Sequence, residues 1–286
     1  MGKYFYLCGF IFLIWLGGSC QKGDTVNPGD EDDSQPQGEP TFVVASYNIL
    51  HDTEDLPDNY KWSVRKDLMI KQVKDNHIDI LCLQEDRENQ ALDIQRATGM
   101  QIAGTSKRIL YDGKRFSVRS QGQFYLSETP DRSSYGWDAA AIRLCNWVLF
   151  NDRNTGRNFF VFNAHFDHIG QVARERSALL MQQRINFLTN GQPVLMTGDM
   201  NARPGERPII TLTSFLSDSR SKSETDPQGP IGTYNGRNTQ GSFTARIDYV
   251  FTSSHFRVKE YAVLQDETGG IFPSDHFPVV TKLELK

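Results

Sequence analysis

Short apolar runs that end in a polar residue constrain this chain more than any other feature. Runs rich in β-branched and aromatic residues recur at 42–47, 78–83, 116–126, 139–150, 158–164, 194–197, 247–251, 256–264 and 279–285, and their composition predicts strands. Polar residues able to ligate or catalyse stand at six of their ends: Asn48, Glu85, His165 with Asp167, Asp199 with Asn201, Asp248, and Asp275 with His276. A side chain at the end of a buried strand emerges at the rim of a sheet, where it can meet residues from other strands. Val64, Leu68, Met69 and Val73 make one apolar stripe of helical spacing, and Ala178, Met181, Ile185 and Leu188 make another. Residues 207–216, with Pro208 near the start, predict a short third helix. Many strands with a minority of helices predict two packed sheets covered by helices. The polar, Gly-rich stretch 217–242 is expected as a long surface loop.

The N-terminus is of a different kind. Lys3 precedes an apolar run from Tyr4 to Leu16, and Gly17, Gly18, Ser19 and Cys20 follow. One positive charge, an apolar stretch too short to span a bilayer and a small-residue exit predict a secretory signal over 1–19. Cys20 directly after small residues resembles a bacterial lipobox, in which that cysteine is acylated. An ordinary cleavage site and an uncleaved anchor are the alternatives. Residues 20–40 are Gly, Pro, Gln, Ser and acids, the composition of a flexible tether. From 41 to 286 no repeat or second linker appears, which predicts one catalytic-size domain. The expected localisation is therefore exported and membrane-tethered, periplasmic or at the cell surface, with the lipid as the only membrane contact.

Charge and cysteine content exclude several classes. The net charge of −4 comes from the acidic segment before residue 41. The remainder balances, so no global positive field steers a polyanion to it. Four cysteines, two of them within the first 20 residues, do not make a disulfide scaffold. Cys82 and Cys145 lie in apolar surroundings and are expected as small buried hydrophobes, with a disulfide between them as the other option. No serine-nucleophile elbow and no Cys/His zinc pattern is present.

Singly, each polar strand end has an ordinary structural reading. Asn48 and Asp199 suit turns, Glu85 and Asp275 suit helix or turn caps, and a lone histidine is more often structural than catalytic. Together they form a pattern. Ser46-Tyr47-Asn48-Ile49-Leu50, Leu83-Gln84-Glu85, Asn163-Ala164-His165-Phe166-Asp167, Thr197-Gly198-Asp199-Met200-Asn201, Arg246-Ile247-Asp248-Tyr249-Val250 and Ser274-Asp275-His276-Phe277-Pro278 resemble, in order, the motifs of the endonuclease/exonuclease/phosphatase (DNase I-like) superfamily. The resemblance implies a four-layer α/β/β/α sandwich, two mixed sheets flanked by helices, with the active site at one edge.

It also implies roles. Glu85 would be the chief ligand of Mg²⁺ or Mn²⁺, with Asn48 and Asp275 nearby, a hard oxygen set that suits these ions. Asp199 would orient or deprotonate the attacking water, and Asn201 would hold that water or a phosphoryl oxygen. His276 would face the phosphoryl group with Asp248 fixing its tautomer, and His165 would donate a second hydrogen bond. Trp62, Arg65, Asp167 and Arg174 are candidate substrate contacts outside this set. Asp86 departs from the pattern by replacing an apolar residue, and the segment 105–113 is expected as a trimmed loop.

The expected activity is hydrolysis of a phosphodiester or phosphomonoester by in-line water attack, with the lean toward a small or head-group phosphoester and a monomeric enzyme. An extracellular nuclease is the alternative within the superfamily, for which Lys107, Arg108, Lys114, Arg115 and Arg119 would have to track nucleic acid. A non-catalytic surface binding lipoprotein is the alternative of another class; the intact His and Asp set speaks against it.

Overall fold

Side-chain alternation in the first strand decides the layering. In β1 (Thr41–Asn48), Phe42 and Val44 turn to one side, and Ala45 and Tyr47 to the other. The computed structural model describes residues 40–286; the signal, Cys20 and all of the tether but Pro40 lie outside the described residues. In β2 (Ile80–Gln84), Ile80 and Cys82 side with Phe42, whereas Leu81 and Leu83 side with Tyr47. The Phe42 set faces Val148 and Phe150 of β6 (Leu144–Asp152) and Phe159 and Val161 of β7 (Asn158–His165). The Tyr47 set meets Met69 and Val73 of α1 (Trp62–Asp75) and Ala91 and Ile94 of α2 (Glu88–Thr98). Across the molecule, Phe160 and Phe162 of β7 bury Met181 and Ile185 of α3 (Gln171–Thr189) and Leu212 of α4 (Arg207–Thr213). The layers are therefore helix, sheet, sheet, helix, the α/β/β/α sandwich expected from the sequence.

The interior between the sheets is aromatic: the Phe42 and Phe159 rings lie 5.3 Å apart, and Phe42 and Phe116 meet edge-on at 5.5 Å. Truncating one such ring to alanine costs about 3–5 kcal/mol. One sheet runs β11 (Phe256–Val263), β12 (Val279–Leu285), β1, β2, β4 (Ile109–Tyr111), β3 (Gln101–Ala103). The other runs β5 (Phe116–Tyr125), β6, β7, β8 (Val194–Asp199), β10 (Asp248–Thr252), β9 (Ser217–Asp218).

Each sheet holds one parallel pair, β1 with β2 and β7 with β8. A parallel pair needs a crossover, supplied by α1 and by α3. Both strands of a parallel pair end at the same rim. Asn48 pairs with Gln84, and His165 with Asp199. The antiparallel neighbours begin where these end, so Asp248 pairs with Asp199 and Ser46 with Val279. All six polar strand ends thus come to one edge of the sandwich.

Several elements differ from expectation. Residues 139–143 are not strand, because the Asp167 carboxylate takes the backbone amides of Ala140 and Ala141 at 3.1 Å each. Helix α2 and strands β3 and β4 carry no clear periodicity in sequence. The 105–113 segment is no bare loop: β4 lies within it and pairs with β2. The 217–242 stretch begins with β9 and the short α5 (Ser219–Lys222) before becoming irregular. Cys82 and Cys145 are buried and free, as small hydrophobes are.

Candidate active site

Close approach of β7 and β8 starts the site. Gly198 has φ +151°, and a Cβ there would stand 2.0 Å from the Ala164 carbonyl oxygen; only glycine lets the two strands deliver His165 and Asp199 side by side. Beyond them Asn201 takes a left-handed φ of 45°, and across the rim Glu85 takes 57°, positions sparsely populated by such residues and common where geometry serves chemistry. Ser274 ties the last motif to the first, donating its hydroxyl to the Asn48 carbonyl at 2.7 Å.

Asp199 is the hub. Its Oδ1 accepts the Asn201 amide at 2.9 Å. Its Oδ2 accepts Asn48 Nδ2 at 3.0 Å and lies 3.4 Å from His165 Nε2 and 3.8 Å from His276 Nε2. Asn201 Nδ2 donates to the Phe166 carbonyl at 3.0 Å and sits 3.2 Å from His165 Nε2. His276 Nδ1 meets Asp248 Oδ2 at 2.9 Å, and the Thr233 hydroxyl donates to the same oxygen at 2.6 Å. That leaves His276 Nε2 directed at the centre. His165, Asp199, Asp248 and His276 are all buried.

Burial sets the charges. Burial, and then the nearby Asp248 charge, push the Asp199 carboxyl up to about 7. Burial would lower His276, but Asp248, with help from Asp199 and Asp275, pushes it up to about 10, so it is an imidazolium at neutral pH. His165 goes the other way: burial and the Arg143 charge hold it well below the usual histidine range, so it is neutral.

The arrangement combines a buried carboxylate, a charged imidazole fixed by a second carboxylate and a neutral imidazole, all facing an open cavity of ≈ 690 Å³. A family model described as the Endonuclease/Exonuclease/phosphatase family matches residues 45–276 of the chain, which holds the whole set. The chain belongs to the endonuclease/exonuclease/phosphatase family. A family protein from Bacteroides thetaiotaomicron is similar at 33% identity with a TM-score of 0.81, covering 86% of this chain and 98% of that one. The mannosyl-6-phosphatase of B. thetaiotaomicron is similar at 33% identity and a TM-score of 0.79, covering 85% and 99%. An uncharacterized protein of Acanthamoeba polyphaga mimivirus is 26% identical over 161 residues, half of this chain; the match spans 60% of that relative.

For a divalent cation, this family member offers two sets of ligand atoms. Glu85 and Asp275 both line the cavity. Burial tends to raise the Glu85 carboxyl, but the hydrogen bonds from His51 at 2.7 Å and from Asn48 bring it below the ordinary range. Asp275 is raised, by burial and by the Glu85 charge. Asn48 Nδ2 lies 3.2 Å from Glu85 Oε1, so it bridges Glu85 and Asp199 as a donor, and its own oxygen accepts the Leu50 amide. Atoms of Asp199, Asp248 and His276 also come within 4.8 Å of one another. In this second set Asp248 Oδ1 has no partner among the described residues and His276 Nε2 faces the centre. In the first, both Glu85 oxygens already accept, from Asn48 and from His51, so a cation there would take the place of the His51 contact. The all-oxygen set suits Mg²⁺ or Mn²⁺.

The four candidate substrate contacts fall outside the cavity lining of this family member. Arg65 is fully buried and donates to the carbonyls of Tyr60, Ile49, Leu50 and Pro273, so it staples the loop after β1. Trp62 is buried, its ring nitrogen on Asp93 at 2.9 Å. Arg174 donates to the Asp167 carbonyl at 3.0 Å. Asp167 is buried and accepts four backbone amides, from Ala140, Ala141, Ile169 and Gly170, together with Arg143 Nε. The cavity wall is instead lined by Arg143, Lys107, His168 and Tyr234. Tyr234 stands edge-on to His276 with centroids 5.0 Å apart. Its only sequence signal is the Gly-rich loop that carries it. Asp86, the departure from pattern, pairs with Arg108 at 2.6 Å.

Proposed function

We propose that this chain is an exported, lipid-tethered hydrolase of a small phosphoester, a phosphorylated sugar or head group, that works as a monomer with Mg²⁺ or Mn²⁺. The observation that carries the substrate class is the wall of the cavity. Its cations, Arg143, Lys107 and Arg87, line the one cavity that also holds His165. Arg108 is committed to Asp86, and Arg115 is buried against Asp152 at the far end of its strand. A polymer needs a continuous groove of cations and stacking rings; a small ester needs a pocket. Half-exposed Tyr234 at the rim offers a flat face to a sugar ring. The mannosyl-6-phosphatase likeness, at 33% identity over nearly the whole of that chain, supports the same class.

Glu85 and Asp275 would hold the metal, which supplies a positive charge for the phosphoryl oxygens. Asp199 takes the proton of the attacking water, held in place by the Asn201 amide and Asn48. Water oxygen bonds to phosphorus as the P–O ester bond breaks; the leaving oxygen takes a proton from solvent and Asp199 returns its own to solvent, giving inorganic phosphate and an alcohol. The His276 imidazolium, kept charged by Asp248, donates to a phosphoryl oxygen, where negative charge grows in the transition state. His165, neutral, adds a second donor without repelling His276.

The test is turnover of sugar phosphates, inositol phosphates, bis-p-nitrophenyl phosphate, sphingomyelin and nucleic acids with Mg²⁺, Mn²⁺ or chelator. Small monoesters should turn over, chelator should abolish the activity, and His276→Ala should lower it by at least about 10²-fold. Turnover of nucleic acid alone would replace this reading with a nuclease. Silence without metal binding would favour a binding protein.

A further inference from the structure

Arg143 lies between the predicted and observed starts of its strand, and its placement is elaborate. The buried Asp167 carboxylate gathers Ala140, Ala141, Ile169 and Gly170 by their amides and takes Arg143 Nε at 3.3 Å. Burial works against the Asp167 charge, but these amides and Arg143 hold the carboxyl below its ordinary range. The loop before β6 is thereby locked to the residues that follow His165. Arg143 Nη2 lies 2.9 Å from His168 Nδ1, while Nη1 has no partner among the described residues.

Lys107 is held by different means. Its backbone is left-handed at φ 51°, and Asn163 Nδ2 grips its carbonyl at 2.9 Å. Its ammonium makes no hydrogen bond among the described residues, although burial lowers its proton affinity. The nearby carboxylates are already engaged, Asp86 with Arg108 and Glu85 with His51. Arg143, ion-paired only through Nε to Asp167, and Lys107, with no ion pair among the described residues, therefore face the cavity with donors unused, in a chain whose described part is close to neutral. Holding them in place costs strain and desolvation, which an anion would offset.

We propose that Arg143 and Lys107 form a clamp for a phosphate dianion, with Asp167 as the residue that positions Arg143. A monoester has a terminal phosphate with two charges and three free oxygens, and a diester has one charge and two. The catalytic histidines and the metal ligands serve the charge common to both esters. The clamp answers the additional charge and makes the site prefer monoesters. This rests on the phosphoesterase reading above.

The test compares kcat/KM for p-nitrophenyl phosphate and bis-p-nitrophenyl phosphate in the wild type, Arg143→Gln, Lys107→Met and Asp167→Asn. The monoester-to-diester ratio should fall about 10²-fold in Arg143→Gln and in Asp167→Asn, and less in Lys107→Met. Arg143→Gln added to Asp167→Asn should change the ratio no further, because both remove one function. A wild type that favours the diester, or an equal loss on both substrates, would overturn the clamp. Calorimetric binding of inorganic phosphate separates this outcome from failure of the activity. The wild type should bind phosphate more tightly above its second ionisation than below it, and Arg143→Gln should lose that difference. Retention of the difference would overturn the clamp even in a protein that hydrolyses nothing; its loss in an inactive protein would keep the clamp and discard the hydrolase.

Discussion

Asp199 carries opposite demands for stability and for chemistry. A base that accepts a proton from water must be ionised, yet burial and Asp248 push its carboxyl up to about 7. The folded state thus binds this proton more tightly than the unfolded chain does, so stability falls as pH rises from the ordinary carboxylate range through about 7. Asp199→Asn, measured in chelator, should melt above the wild type at pH 8, and the gap should close below pH 6 as the native side chain protonates. A variant that melts lower at pH 8 would contradict the assignment. At this scale the sequence was informative wherever a reactive residue followed an apolar run, as at Asn48, Glu85, His165, Asp199 and His276. It misled at Arg65, since a charged side chain is almost never fully buried and nothing in the chain signals four carbonyls converging on it. Arg143 and Thr233 were illegible for a related reason: each acts through a partner that only the fold brings to it, Asp167 and Asp248.

Among elements, the loop after β1 is held by Arg65, with Gln90 on α2 donating to the Leu50 carbonyl and accepting the Asp52 amide. Arg65 on α1 satisfies the carbonyls of Ile49 and Leu50 on that loop and of Pro273 just before the Asp275-His276 pair. Arg65→Ala would leave the Ile49 and Pro273 carbonyls without donors and the Leu50 carbonyl with Gln90 alone, at a cost of about 1–3 kcal/mol for each unsatisfied group. Urea unfolding should show a loss of at least about 3 kcal/mol, whereas loss of turnover at unchanged stability would restore the substrate-contact reading. The strands with strong apolar composition and the two helices with clear stripes were legible. Helix α2, β3 and β4 were not: α2 has only Gln90, Ala91 and Ile94 buried, too few for a stripe, and β3 and β4 have three residues each, too short for alternation to register. The loop at 139–143 was read as strand because its alanines and Ile142 look apolar, yet the Asp167 carboxylate outcompetes a strand partner for its amides.

For the molecule as a whole, four acidic side chains, Glu85, Asp199, Asp248 and Asp275, crowd one edge beside the His276 imidazolium and the cations of the cavity wall. A bound divalent cation would lower that repulsion, and a ligand that binds only the folded state stabilises it by mass action. Mg²⁺ at millimolar concentration should raise the Tm of the wild type. Glu85→Gln should lose most of that rise while keeping a wild-type Tm in chelator, and an undiminished rise would move the ion to another site.

The hydroxyl of Ser274 on the carbonyl of Asn48 closes a span of 226 residues. The two halves of the centre come from opposite ends of the fold and meet only when β12 has slotted in beside β1. A growing polypeptide on the ribosome, even one with β1 to β10 already made, has no competent centre, because His276 and Asp275 have not yet been synthesised. Any chemistry at this centre thus waits until the segment that carries Asp275 and His276 has been made and has docked against β1.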